Sequence, residues 1–308
     1  MKGAQMKSPE WFQRWFGEEY KRLYPHRDAS QASAQVAALR AAIGRVAPAF
    51  TVRTALDIGC GTGRHLGAFA PSSTAPSSSV SSKASSPGPL GYGIDLSAVL
   101  LRDARAAGHA VARADMRRLP FADGRFDLVA SFFTSFGYFA EPSEDAATLR
   151  EFARVVCPGG FLFLDLPNKP VVIRDLVPTD AMERPGRRVQ VTRVLEGNVV
   201  VKRIRIECDG AEGATEDCGV GRDVGSGDAG RGERTAVEHH EERVRLYDLA
   251  EIAPALKAAG LEVSRILGDE NGAEYDATRS PRMSLLLRRA RRAPETPASA
   301  SAPLGQKA

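Results

Sequence analysis

Thr54-Ala55-Leu56-Asp57-Ile58-Gly59-Cys60-Gly61-Thr62-Gly63-Arg64-His65-Leu66 is the stretch on which the fold turns. It opens as a short apolar run, Ala55-Leu56 with Ile58. It breaks into glycines at Gly59, Gly61 and Gly63, then resumes at helical spacing through Leu66, Ala68 and Phe69. A buried strand, a glycine turn and a helix N-terminus in that order form the nucleotide-cradling unit of an open α/β sheet. The glycines let backbone approach a ligand where a Cβ would collide, and the first N–H groups of the helix point into the same space. A dinucleotide-binding turn would place its third glycine at position 64, which is Arg64. Here the glycines alternate, with Asp57 two residues before the first.

Outward from this unit the chain alternates strand and helix. Residues 71–88 hold nine serines and three prolines in 18 positions and read as a disordered insertion. Gly91 to Leu96 is the next strand. Asp95 lies 38 residues after Asp57; without the insertion the gap is 20, near the roughly 20 expected of a ribose-binding acid. Ser97 caps a helix over 98–107, closed by Gly108. Ala110 to Ala114 is strand three, leading to Asp115-Met116. Phe126 to Ser131 is strand four, with Phe132, Phe133, Phe136, Tyr138 and Phe139 at its carboxyl end, where open α/β sheets bind ligands. A helix over 143–156 and a strand over 161–165 follow.

The motifs D-x-G-x-G-x-G at Asp57–Gly63, F-D-x-V at Phe126–Val129 and R-V-x-x-P-G-G-x-x-x-x-D at Arg154–Asp165 together resemble the class I S-adenosylmethionine-dependent methyltransferases, small bacterial type. The resemblance implies a doubly wound α/β fold: a mostly parallel seven-stranded sheet with an antiparallel last strand. It implies S-adenosylmethionine as cofactor. Asp57, Gly59, Gly61 and Gly63 would hold the amino-acid portion, Asp95 the ribose, and Asp115 with Met116 the adenine. Cys60, Leu96 and Ser131 complete the core part of the cofactor set, and Ser131 to Thr134 would border the methyl group. Leu166-Pro167-Asn168 is not the N-P-P-[YF] signature of adenine amino-group methylators, and it follows strand five instead of four.

Residues 8–27 carry both tryptophans, Trp11 and Trp15, with Phe12, Phe16, Tyr20 and Tyr24, and predict one amphipathic helix. Two readings stand: a helix that simply packs on the domain, or a cap with Tyr24, His26 and Arg27 facing the cofactor, as in the resembled family. Tyr24 and Arg27 enter the candidate cofactor set on the second reading. From Arg187 the periodicity changes to two. Val189, Val191, Val199, Val201, Ile204 and Ile206 flank a turn at Glu196-Gly197-Asn198, a β-hairpin. Cys208 to Arg234, with eight glycines and seven acids against three bases, reads as a second disordered insertion. His239-His240-Glu241-Glu242 suggests a metal site, but on a strand only alternate residues converge, so a solvated strand is the expectation and no metal is assigned. Asp248 with Glu251 opens a helix, and 261–267 with 283–287 are the closing antiparallel strands.

The predicted organisation is an N-terminal helical cap (1–50), a Rossmann-like cofactor core (51–170), a β-hairpin substrate-side subdomain (171–247, interrupted at 208–235), completion of the core sheet (248–290) and a disordered tail (291–308). The 308 residues are 43% hydrophobic and carry a net charge of +4, too mild for a nucleic-acid binder. No apolar run reaches membrane-spanning length, and no signal peptide is visible. Cys60, Cys157, Cys208 and Cys218 form no C-x-x-C pair and suit a reducing cytoplasm. The expected activity is methyl transfer to an unidentified small-molecule acceptor. The rivals are a nicotinamide-dependent oxidoreductase on a similar sheet and a non-catalytic nucleoside-binding module. Catalytic residues stay unassigned: His26, Tyr24, Tyr138 and Tyr275 are candidate bases by location only.

Overall fold

The computed structural model describes residues 11–24, 29–69, 91–208 and 236–291. Its central sheet holds β1 (Ala55–Ile58), β2 (Gly91–Asp95), β3 (Ala110–Arg113), β4 (Phe126–Ser131) and β5 (Val156–Pro167), with two later strands, β10 (Leu261–Leu267) and β11 (Arg282–Arg289). The order is β10-β11-β5-β4-β1-β2-β3. β1 pairs in parallel with both β2 and β4, so strand order reverses there and opens a crevice at the carboxyl ends. β11 runs antiparallel to both β5 and β10. The predicted doubly wound sheet with an antiparallel last strand is the observed one.

Strand alternation builds two cores. Leu56 and Ile58 face a layer containing Leu149 and Phe152 of α6 (Pro142–Val155) and Ile252 and Leu256 of α8 (Leu249–Ala258). Ala55, Leu128 and Ala130 face the other layer, with Val36, Leu39 and Ile43 of α3 (Ala29–Val46), Leu66 and Phe69 of α4 (Leu66–Phe69) and Leu101 of α5 (Ala98–Ala106). Capping boxes at Glu141/Glu144 and Asp248/Glu251 start α6 and α8. The helix after the glycine turn begins only at Leu66, because the residues before it stay in turns: Gly63 N–H donates to Cys60 O and Leu66 N–H to Gly63 O.

The aromatic N-terminal stretch is two helices, α1 (Trp11–Trp15) and α2 (Glu18–Leu23), instead of the single one predicted. Gly17 sits between them in an extended conformation that no helix contains. α3 packs on the core sheet, so among the described residues the N-terminal segment over the crevice is 11–24. It docks on a second sheet, order β6-β7-β8-β9, made of β6 (Thr179–Arg184), β7 (Arg187–Glu196), β8 (Val199–Cys208) and β9 (Ala236–Arg245), which follows the short α7 (Lys169–Arg174). The predicted hairpin is β7–β8, with Gly197 left-handed at its turn. β6 escaped the sequence reading because it is a mostly exposed edge strand without apolar alternation. Val189, Val191, Ile204 and Ile206 meet Trp15 and Leu23 in a third core, so cap and small sheet form one roof.

The roof joins the core at Gly137. Arg245 N–H donates to Gly137 O at 2.7 Å, and a Cβ at Gly137 would meet Arg245 O at 2.7 Å. The predicted insertion 208–235 begins one residue too early, since Cys208 ends β8 paired with Arg187; the rest of it, with Cys218, the predicted insertion 71–88 and all but Arg291 of the predicted tail 291–308 lie outside the described residues.

Candidate active site

A cavity of about 620 Å³ opens at the carboxyl ends of β1, β2 and β4, beneath the roof. Its floor is the glycine turn. Gly59 and Cys60 both donate backbone N–H to Ile94 O at 2.9 Å, which turns the chain across β2. Gly59, Gly61 and Gly63 are all left-handed. Their surroundings differ. A Cβ at Gly63 would lie 2.6 Å from His109 Cδ2, so that glycine serves packing against the end of α5. A Cβ at Gly61 would meet nothing nearer than Leu100 Cδ1 at 3.8 Å, and Gly61 lines the cavity. Gly61 thus leaves a cradle that a side chain would fill.

Asp95 ends β2 and braces the turn. Its Oδ2 accepts Gly61 N–H at 2.9 Å, and its Oδ1 accepts Ser97 N–H at 2.8 Å. Burial raises its carboxyl above the usual range, opposed by these backbone bonds. Asp115, after β3, is gripped by Arg117 at 2.7 Å. Burial alone would raise the Asp115 carboxyl, but the bonds and charge of Arg117 together hold it below its ordinary value. Met116 and Leu96 supply apolar surface beside the two acids.

Of the residues predicted to bind cofactor, Tyr24, Gly59, Cys60, Gly61, Asp95, Leu96, Asp115 and Met116 line this cavity. Asp57, Gly63 and Ser131 do not. Asp57 and Ser131, each 1% exposed, point from their strands into the packed layers. Asp57 Oδ2 is buried without a hydrogen-bond partner, 3.8 Å from His65 Nδ1. Burial pushes its carboxyl well up, although the charge of Arg64 works the other way. Burial, with Arg64 beside it, pushes His65 down to about 3, so the ring is neutral and bonds Gln35 Oε1 at 2.8 Å. Arg27 and His26 lie outside the described residues.

The roof completes the walls. Trp11 and Phe12 from α1, Phe16 from the turn after it and Tyr20 from α2 meet Tyr138 and Phe139 from the core in an aromatic cluster; the Trp11 and Tyr138 rings are 4.9 Å apart. Glu242 of β9 faces the same space. Its Oε1 accepts Trp15 Nε1–H at 2.5 Å, and Lys202 Nζ lies 3.3 Å from its Oε2. Lys202 also donates to the Tyr24 hydroxyl. Sequence reasoning missed Glu242, treating it as part of a solvated strand. The signal that could have found it is the alternation Glu242-x-Val244-x-Leu246, which puts an acid at the head of an apolar face; all three line the cavity. Among the candidate bases, Tyr24 and Tyr138 line the cavity. Tyr275 does not: its hydroxyl donates to Asn168 Oδ1 at 3.2 Å, beneath the end of β5.

The donor set fits S-adenosylmethionine: a bare glycine cradle, two acids on successive strand ends and apolar surface between them. Residues 56–164 match a family model described as a methyltransferase domain. The chain is 29% identical over 225 residues to the dTDP-3-amino-3,4,6-trideoxy-alpha-D-glucopyranose N,N-dimethyltransferase of Streptomyces venezuelae, covering 70% of this chain and 78% of that one. Among solved structures it resembles an S-adenosylmethionine-dependent methyltransferase from Clostridium acetobutylicum (TM-score 0.62, 16% identity, 88% of this chain and 96% of that one). It also resembles the sugar N-methyltransferase KedS8 from a Streptoalloteichus species (TM-score 0.59, 22% identity, 89% and 94%). A third is CalS10, an amino pentose methyltransferase from Micromonospora echinaspora solved with S-adenosylmethionine bound (TM-score 0.57, 20% identity, 89% and 97%). At these identities the structural likenesses speak to fold.

Proposed function

The chain is a class I S-adenosylmethionine-dependent methyltransferase, and from that premise we propose that its acceptor is an amino nitrogen on a small, sugar-type molecule. The observation that carries this is Glu242, a carboxylate set into an aromatic-walled cavity. An acid among aromatic faces attracts an amine and its ammonium form. The aminosugar substrate named for the Streptomyces venezuelae relative has the same chemistry. A cavity of about 620 Å³ is of small-molecule size, within the roughly 300–1,000 Å³ usual for such sites. The mild net charge of +4 also favours a small acceptor over nucleic acid. Among the described residues no helix is long and apolar enough to cross a membrane. Cys60, Cys157 and Cys208 are free thiols, in keeping with a reducing cytoplasm.

When bound, the cofactor supplies a sulfonium methyl that needs no further activation. The protein's part is alignment and exclusion of water. Gly59, Cys60 and Gly61 cradle the amino-acid portion, Asp95 holds the ribose, and Asp115 with Met116 the adenine. Asp57 lies buried beneath the turn and does not line the cavity. Glu242 accepts an N–H of the acceptor and so orients the nitrogen lone pair. Trp15 and Lys202 fix the Glu242 carboxylate.

The test is transfer of a labelled methyl from S-adenosylmethionine to a panel containing the relative's aminosugar nucleotide, other amino sugars and their hydroxyl counterparts. Amino acceptors should be methylated, and Glu242→Gln should lower kcat/KM at least tenfold. Methylation confined to hydroxyl acceptors, or indifference to Glu242→Gln, would overturn the reading.

A further inference from the structure

Phe133 and Thr134, just past β4, both adopt left-handed backbone, with φ of 52° and 64°. Two successive residues with side chains there are strained, and a strand-end turn keeps that shape only if its surroundings impose it. The turn lies between two cavities, the main one on one side and a smaller one of about 150 Å³ on the other. Phe132 and Phe133 line both. What holds this partition is polar. Phe133 N–H donates to Asp165 Oδ2 at 2.9 Å, and Thr134 N–H donates to Asp165 O at 3.1 Å. Arg282 of β11 donates through Nε to Asp165 Oδ1 at 2.8 Å and through Nη2 to Thr134 Oγ1 at 2.9 Å. Ser284 donates to the same Asp165 Oδ1 at 2.7 Å. Asp165 is 4% exposed, and these partners satisfy both of its carboxylate oxygens.

We propose that Asp165 and Arg282 are positioning residues, a clamp from β5 and β11 that sets the left-handed Phe133–Thr134 turn as a wall of the main cavity beside the glycine floor. The turn bears directly on the glycine floor: a Cβ at Gly59 would lie 2.8 Å from Ser135 Cβ. Arg64, from the same floor, lies over the Phe133 ring at 4.3 Å. Releasing the clamp therefore moves a wall of the cofactor pocket. The inference rests on the methyltransferase reading, and its test separates the two.

The probe is S-adenosylhomocysteine, titrated calorimetrically into the full chain. Thr134→Val keeps the shape and branching of the side chain and removes only the bond from Arg282; it should weaken binding about tenfold, the worth of one residue's left-handed preference. Arg282→Gln should weaken it at least as much. Thr134→Gly, which adopts positive φ without strain, should bind within about threefold of wild type. Added to Arg282→Gln, it should restore most of the lost affinity. A merely structural ion pair would not be rescued by glycine at another position. Unchanged affinity in Thr134→Val and Arg282→Gln, or no rescue in the double variant, overturns the clamp. If Arg282→Gln does not fold, the contrast between Thr134→Val and Thr134→Gly decides alone. A wild-type chain that binds no S-adenosylhomocysteine would instead remove the cofactor reading, and the clamp with it.

Discussion

Asp95 accepts a backbone N–H on each carboxylate oxygen while also facing the cavity, so removing it acts twice. Asp95→Ala should weaken S-adenosylhomocysteine by roughly 2–4 kcal/mol in a calorimetric titration, the worth of a pair of charge-assisted bonds. It should also lower the melting temperature, because Gly61 and Ser97 lose their acceptor. Unchanged affinity would remove Asp95 from the sugar site. Asp145 makes a second residue-scale prediction. Burial pushes its carboxyl up to about 6, against the hydrogen bond from Tyr247 at 2.7 Å and the nearby charge of Arg245. The folded chain therefore binds this proton more tightly than the unfolded chain does. Its contribution to stability is full below about pH 4 and is lost as pH rises through about 6. Relative to wild type, Asp145→Asn should gain on the order of 2 kcal/mol between pH 4 and pH 7 in urea unfolding; a constant difference over that window would refute the assignment. Residues such as Asp95 were legible in the sequence because strand ends and spacing fix them locally. Arg282, which bonds a partner 117 positions away, was not.

The elements separate two kinds of glycine within one turn. Gly63→Ala forces a Cβ to within 2.6 Å of His109 at positive φ, and should cost about 2–4 kcal/mol of stability by overpacking and backbone strain. Gly61→Ala meets no such obstacle and should cost only about 1–2 kcal/mol of stability. Its methyl enters the cavity, so its larger effect should be on cofactor binding. Paired denaturation and calorimetry on the two variants would show opposite rank orders. The glycine run was readable because a demand for positive φ is local. The two uses of its members were not, since His109 approaches through the packing of α5. The roof shows the same limit at larger separation. The β7–β8 hairpin carried its own turn signal, whereas the inward face of β9 is decided by its pairing with β8 and by Trp15 above it.

At the scale of the molecule, the cap is tied to both halves. Lys21 pairs with Asp103 of α5 at 2.6 Å, Ser97 Oγ–H donates to Phe16 O at 2.6 Å, and Arg187 of β7 pairs with Glu19 at 3.0 Å. A partly exposed pair such as Lys21–Asp103 contributes roughly 0.2–1 kcal/mol, while burying Trp15 contributes several times more. Trp15→Ala should therefore cost about 3–5 kcal/mol and speed hydrogen exchange across residues 11–24, whereas 1 M salt should change that exchange little. Equal exchange in Trp15→Ala and wild type would contradict apolar anchoring of the cap. The joint at Gly137 carries a last consequence. Strands β6 to β9 enter after β5, leave into α8, and meet the core there through Arg245, whose backbone bonds Gly137 and whose side chain bonds Ala140 O and faces Asp145. What reads the incoming nucleophile is thus spliced into a frame whose strand register it does not set. Exchanged as a cassette with the corresponding strands of a relative, this insert should carry acceptor preference with it and leave the dissociation constant for S-adenosylhomocysteine where it was.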